Sequence, residues 1–396
     1  MTIKMMLPLL LFAGLLAGVA VHAQIADTQQ QSLLQAIEAK QWDILPEFND
    51  RRAAEALAAN LDGENPISNN SLPRLGSLII EPLLKRLHDP QPKVREQVRT
   101  VLTQTYLREE NGMNPHDPRL IDALVTGTTD ADADVRRGAF RAILRVGMEP
   151  SGRLQQAVIA GMTDTNGVVR NYAFLAASVF DTPAIRDTIL QAAQAKDAEQ
   201  RERAVIALGF FSGPDASSTL LDALADPATR AQAAYRLGCI GEARAVVPIC
   251  ALLRDKDDDV VGRAFEALDL LNSPDAIPAL ITHITAKSSD MGSREYAARI
   301  LGKVGMPALE PLLAAWVKAD RKSKPHLALA LAMIPDPRTK DILVGYLPTI
   351  DFERRLWIFD MMQVRTDPSV VPLLAALAEG RNQEVALSAI GAIHQQ

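Results

Sequence analysis

The feature that most constrains this chain is a long-period repeat in its apolar pattern. An acidic or polar loop is followed by Val and Arg, then by Ala three residues after the Arg, then by Leu and Gly or their equivalents. The register is clear at Val94, Arg95 and Val98, at Val135, Arg136 and Ala139, and at Val169, Arg170 and Ala173. It continues at Arg201, Ala204 and Leu208, at Arg230, Ala233 and Leu237, at Val260, Val261, Ala264 and Leu268, and at Arg294, Ala297 and Leu301. Weaker copies follow at Pro325 with Ala328, near Arg354, and at Val385, Ala386 and Ala389. After a first interval of 41 residues the spacings run from 29 to 34, a period of about 31. Self-similarity at such a period marks a repeat architecture.

Each unit has room for two helices and two short turns, and both halves carry apolar residues at helical spacing rather than in strict alternation. The first helix of a unit shows in Val246, Ile249 and Leu253 or in Ile277, Leu280 and Ile284, and the second in Val260, Ala264, Ala267 and Leu268. Pro248, Pro278, Pro311 and Pro372 fall near the starts of first helices, where a missing N–H costs least. Gly209, Gly238 and Gly302 fall where second helices should end, and are expected to be left-handed C-caps. One helix pair cannot cover its own apolar face, so neighbouring pairs must stack.

This unit resembles the HEAT repeat, specifically the short phycobilin-lyase-like (PBS lyase HEAT-like) variety. That pattern, Asp-x-x-Val-Arg-x-x-Ala-x-x-Ala-Leu-Gly, is carried here by Asp132, Val135, Arg136 and Ala139. The resemblance implies an all-α fold, a right-handed α-solenoid of stacked antiparallel helix pairs. It covers residues 77–396, with 24–76 as an N-terminal helical cap and linker, and the loop from Glu109 to Pro118 as an irregular insertion.

Residues 1–23 have the form of a signal peptide. Lys4 precedes an apolar run from Met5 to Val21, and Val21 and Ala23 are the small residues of a cleavage site before Gln24. The expected location is periplasmic or secreted, with no transmembrane segment after cleavage.

Charge and chemistry exclude several function classes. Forty-two Lys and Arg against 48 Asp and Glu give a net charge of −6, which argues against nucleic acid as a partner. The HEAT-like hydroxylases need His-Glu pairs to hold iron, and none of the six histidines is followed by Glu, so no cofactor or metal is expected. No catalytic motif such as Gly-x-Ser-x-Gly or His-Glu-x-x-His is present. Asp130, Asp132 and Asp134, like Asp255, Asp257 and Asp259, alternate as calcium-loop ligands would, but Val135 and Val260 stand where that loop needs Gly. Helix capping is the expected role of these carboxylates. Cys239, placed in a turn, and Cys250, placed in the core position that Leu280 fills in the next unit, are the only cysteines, and a bridge between them is left open.

Two residue series remain. Arg95, Arg136, Arg170, Arg201, Arg230 and Arg294 form a ladder, and the resemblance implies that each pairs with an Asp of the neighbouring unit. The positions just before and two after the repeat Ala share a helix face. There Tyr172, Arg203, Tyr235, Arg263, Tyr296 and Arg299 supply residue types enriched at interface hot spots. The resemblance places second helices on the inner side of such stacks. The expected function is a non-catalytic exported scaffold or adaptor that binds a protein or peptide partner. The alternative is a lyase-like enzyme or accessory protein presenting a small molecule, which would show itself as a deep pocket with perturbed ionisable groups.

Overall fold

The structure, a computed structural model, describes residues 28–63, 71–147, 152–351, 353–355, 357–358 and 375. Residues 1–27 and 64–70, Pro372 and the repeat copy expected at Val385 lie outside the described residues. Among the described residues every regular element is helical.

The chain divides into two compact units between Thr188 and Ile189. The first unit holds α1 (28–38), α2 (Arg51–Ala59), a 3-10 stretch (Leu72–Ile79) running into α3 (Ile80–Leu84), α4 (Pro92–Leu107), α5 (Pro118–Thr128), α6 (Ala133–Val146), α7 (Gly152–Gly161) and α8 (Gly167–Ala177). The division falls inside α9 (Pro183–Ala192). The second unit continues with α10 (Ala198–Leu208), α11 (Pro214–Ala223), α12 (Arg230–Cys239), α13 (Val246–Leu252), α14 (Asp258–Leu271), α15 (Ile277–Thr285), α16 (Met291–Val304), α17 (Leu309–Lys318), α18 (Lys324–Ala332) and α19 (Pro337–Tyr346). First and second helices alternate, and within each unit a second helix packs both on its own first helix and on the next second helix. The fold is the expected all-α stack of antiparallel helix pairs.

Helix α14 shows how a repeat is written. Asp257 caps its N-terminus, accepting from the Asp259 N–H at 3.0 Å, and Asp258 and Asp259 complement the dipole in the first turn. Val260, Ala264, Phe265, Ala267 and Leu268 are buried on one face. Asn272 then ends the helix in the left-handed conformation, φ 44°, with its N–H bonded to the Leu268 carbonyl. Asp132, Asn166, Asp197 and Asp290 cap the corresponding second helices. The alternating carboxylates are thus absorbed by caps and turns, with Asp132 accepting from the N–H groups of Asp134 and Val135.

The glycine expectation is overturned. Gly209 has φ −65°, and Gly238 and Gly302 are helical. They mark close approaches between repeats: a Cβ on Gly238 would lie 2.7 Å from the Ala267 Cα, and one on Gly302 would lie 2.5 Å from the Met333 sulfur. The left-handed residues come later, at Gly241 (φ 71°) and Gly305 (φ 77°), where the chain turns toward the next first helix. Short 3-10 turns, Ala243–Ala245 and Met306–Ala308, lead in to those helices.

The insertion after α4 is anchored by Asn111, whose side-chain amide donates to the carbonyls of Pro73 at 2.9 Å and Thr105 at 2.8 Å. Among the described residues no single helix is long and apolar enough to cross a membrane.

Candidate functional site

The arginine series lies at the starts of second helices, and most of it reaches across to the next turn. Arg95 pairs with Asp130 at 2.6 Å, Arg136 with Asp164 at 2.7 Å, Arg201 with Asp226 at 2.7 Å and Arg230 with Asp255 at 2.6 Å. The facing guanidinium holds the carboxyl of Asp164 below its ordinary value, and likewise that of Asp226. Arg170 donates to the Asp164 carbonyl at 2.8 Å. Arg294, buried, donates to the Ala286 carbonyl at 2.7 Å. The four ion pairs each tie a second-helix start to the turn of the next repeat, and the bonds of Arg170 and Arg294 hold the turn before their own helix.

The six surface candidates do not behave alike. Tyr172 is half-buried on α8, in the first unit. Arg203 is turned back onto Glu199 of its own helix, with only 11% of its side chain exposed, so it presents little to a partner. Tyr235 and Arg263 meet directly, the guanidinium lying 5.2 Å from the ring centre. Arg263 also pairs with Glu266 at 2.9 Å. Tyr296 is 52% exposed and stacks on Phe265 with ring centres 6.0 Å apart. Arg299 is exposed on α16.

Two members of this face were missed by the sequence reading. The Arg236 guanidinium lies 4.8 Å from the Phe210 ring centre and 5.5 Å from that of Tyr235, and Phe210 is 54% exposed. Phe210, Arg236, Tyr235 and Arg263 thus form a continuous strip from the end of α10 across α12 to α14. Both Arg236 and Phe210 fall outside the two positions chosen around the repeat Ala, which is why that pattern passed over them.

A cavity of about 690 Å³ opens between the turns that precede α14 and α16, against α13 and α15. Its wall includes Val261, Ala286, Asp258, Asp290, His283 and Ser293. His283 Nε2 lies 2.9 Å from Ser293 Oγ, and burial pushes the imidazole below its ordinary value, toward the neutral form. The His283 ring meets Phe265 edge-on at 5.1 Å. Buried Phe265 therefore lies between His283 of the cavity wall and Tyr296 of the aromatic face. Nothing in the repeat pattern points to the His283–Ser293 contact, because the two residues sit ten apart on different helices.

Cys239 and Cys250 are both free thiols. Cys239 ends α12 and is exposed, so it lies in the helix rather than in the turn after it. Cys250 lines the cavity and is half-buried, while Ile249 holds the core position equivalent to Leu280. The core assignment of Cys250 was one residue out of register. Among the described residues no cluster of three or more His, Cys, Asp or Glu side chains is arranged to hold a metal.

A family model described as HEAT repeats matches residues 155–235 and 219–292. Residues 155–292 carry HEAT repeats. At the level of fold, the chain is similar to HEAT solenoids of known structure. One is from the complex of Kap95p with RanGDP, at 15% identity and a TM-score of 0.54, covering 93% of this chain and 58% of that one. Another is the karyopherin Kap121p bound to the extreme C-terminus of the protein phosphatase Cdc14p, at 14% identity and a TM-score of 0.52, covering 93% and 48%. This chain therefore spans about half the length of those HEAT proteins. No functionally curated protein matches its sequence.

Proposed function

We propose that this chain is an exported scaffold or adaptor of the short phycobilin-lyase-like repeat type. It grips a protein or peptide along the second-helix face of its second unit. The observation that supports this most is the strip of Phe210, Arg236, Tyr235 and Arg263. Its aromatic and guanidinium groups are already stacked on one another, so little side-chain freedom is left to lose on binding. Solved HEAT solenoids of the same fold are described with protein partners, which is consistent with that use. Export rests on the signal-like segment before Gln24.

The test is crosslinking in intact cells of the native host, purification of the tagged protein from the periplasmic fraction, and identification of what co-purifies. One or two specific partners, reduced at least tenfold by Tyr235→Ala with Tyr296→Ala, are expected. A protein that keeps Met1 and stays in the cytoplasm would remove the export reading, and capture unaffected by the two substitutions would remove the proposed face. The cavity favours a second reading, a lyase-like accessory role in which a small molecule is held beside half-buried His283.

A further inference from the structure

The arginine ladder has a gap in the second unit, and the cavity lies in it. Val261 occupies the register position that Arg201, Arg230 and Arg294 occupy in neighbouring repeats. The acid is missing as well. Arg136 donates to the Asp130 carbonyl at 2.9 Å and Arg170 to that of Asp164 at 2.8 Å, and Arg294 gives the same bond to the Ala286 carbonyl at 2.7 Å. Ala286 therefore stands where the other turns place the carboxylate that receives the preceding repeat's arginine. Helices α14 and α16 approach each other less closely than α12 and α14 or α16 and α18 do. Val261 and Ala286 both line the cavity at this position.

The other arginines show what that space is built to hold. Arg95, Arg136 and Arg201, besides their ion pairs, donate to the carbonyls five and six residues before them, whereas Arg230 spends its bond on Asp255 and Arg294 reaches the carbonyl eight residues back. Arg95 reaches Pro90 and Asp89 at 3.2 and 2.8 Å, Arg136 reaches Ala131 and Asp130 at 3.1 and 2.9 Å, and Arg201 reaches Lys196 and Ala195 at 2.8 and 2.9 Å. The same count back from Val261 leads to the carbonyls of Lys256 and Asp255, and a valine side chain has nothing to donate to them. Asp258 and Asp290 add carboxylates to the wall, Asp255 is already engaged by Arg230, and exposed Arg254 is the one lysine or arginine among the described lining residues.

We propose that this cavity takes an arginine side chain of the protein or peptide partner, whose guanidinium completes the rung that Val261 leaves out. The inference rests on the partner-binding reading above and names the chemistry of one contact. A planar guanidinium reaches two successive carbonyls as a fork, as the internal arginines do, whereas an ammonium offers only a point charge. Ring contacts run from His283 in the cavity wall through buried Phe265 to Tyr296.

The probe is N-acetyl-arginine methylamide, titrated into the full-length protein at millimolar concentration and followed by ligand-observed NMR, with the citrulline and lysine analogues as comparators. The arginine probe is expected to bind at least tenfold more tightly than its uncharged citrulline isostere and more tightly than the lysine analogue. Val261→Arg, which supplies the guanidinium from within, should weaken probe binding tenfold or more without lowering Tm. Asp258→Asn leaves the shape of the site intact and should weaken it severalfold, which keeps the test open if the first variant folds poorly. Equal binding of arginine and citrulline probes, no binding, or binding indifferent to both variants would overturn the proposal. Tyr235→Ala with Tyr296→Ala separates the two readings. Probe binding without a captured partner counts against the scaffold, and a captured partner indifferent to Val261→Arg counts against the arginine site.

Discussion

Gly238 and Ala267, on successive second helices, are so close that a Cβ at 238 would fall 2.7 Å from the Ala267 Cα. That approach sets the distance between α12 and α14, and with it the alignment that lays Arg263 over Tyr235.

Gly238→Ala should therefore destabilise the second unit even though alanine is the better helix former. The propensity gain is about 1 kcal/mol. Overpacking against rigid backbone costs about 1–3 kcal/mol. A net loss of up to about 2 kcal/mol is expected in chemical denaturation. Gly209→Ala, whose new Cβ would fall within 2.9 Å of Cδ, Cγ and Cβ of Arg236, should also lose stability and displace that guanidinium from Phe210. Equal stability of Gly238→Ala and the parent would show that the helices can separate freely.

The Arg136–Asp164 rung makes a second prediction. Both side chains are nearly buried, 13% and 11% exposed, and the pair is bidentate, at 2.7 and 2.9 Å. Removing either partner strands the other's charge in a poorly solvated place, at a cost of about 2–4 kcal/mol. Arg136→Ala combined with Asp164→Ala should cost less than the sum of the two, with a coupling of about 1–2 kcal/mol. Additive losses would mean the two groups are independently solvated.

Stability should fall with pH in two stages. Burial lowers the proton affinity of His283 and His326, so below about pH 6.5 the unfolded chain takes up protons first and stability begins to decline. The paired carboxylates are also depressed, with Asp117 and Glu242 down to about 2 beside Arg119 and Arg244. Their contribution is complete above the unfolded value near pH 4 and is lost as the pH drops toward about 2. Urea denaturation from pH 8 to 2 should show a shallow limb followed by a steep one. A flat response between pH 7 and 5 would contradict the histidine part.

The outcome of these residues shows what was legible. The helix pairs and their register were readable because Arg136, Ala139 and their counterparts recur at a fixed period, and a stack of identical parts repeats its sequence constraints. Gly209, Gly238 and Gly302 were misjudged because composition marks a glycine without saying whether it spares a Cβ contact or a positive φ. Only the three-dimensional neighbour, Ala267 for Gly238, separates the two uses. The aromatic face was half readable. Tyr235 and Arg263 share a helical register, whereas Arg236 and Phe210 join through side-chain reach across helices. The cavity was written as an exception, Val261 in a column of arginines, whose meaning depends on Ala286 one repeat later.

The two cysteines should separate cleanly in reactivity. Cys239 is exposed at the end of α12, while burial in the cavity wall pushes the Cys250 thiol up to about 11. Relative to an ordinary thiol near 8.5, that leaves roughly 300-fold less thiolate at neutral pH. Iodoacetamide at pH 7.5 should therefore modify Cys239 first and Cys250 only slowly, with both reacting at similar rates in 6 M guanidinium. Peptide mass mapping over a time course reads the two sites separately. Equal labelling in the native protein would mean that the turns preceding α14 and α16 open to solvent, which would also deprive the cavity of its wall.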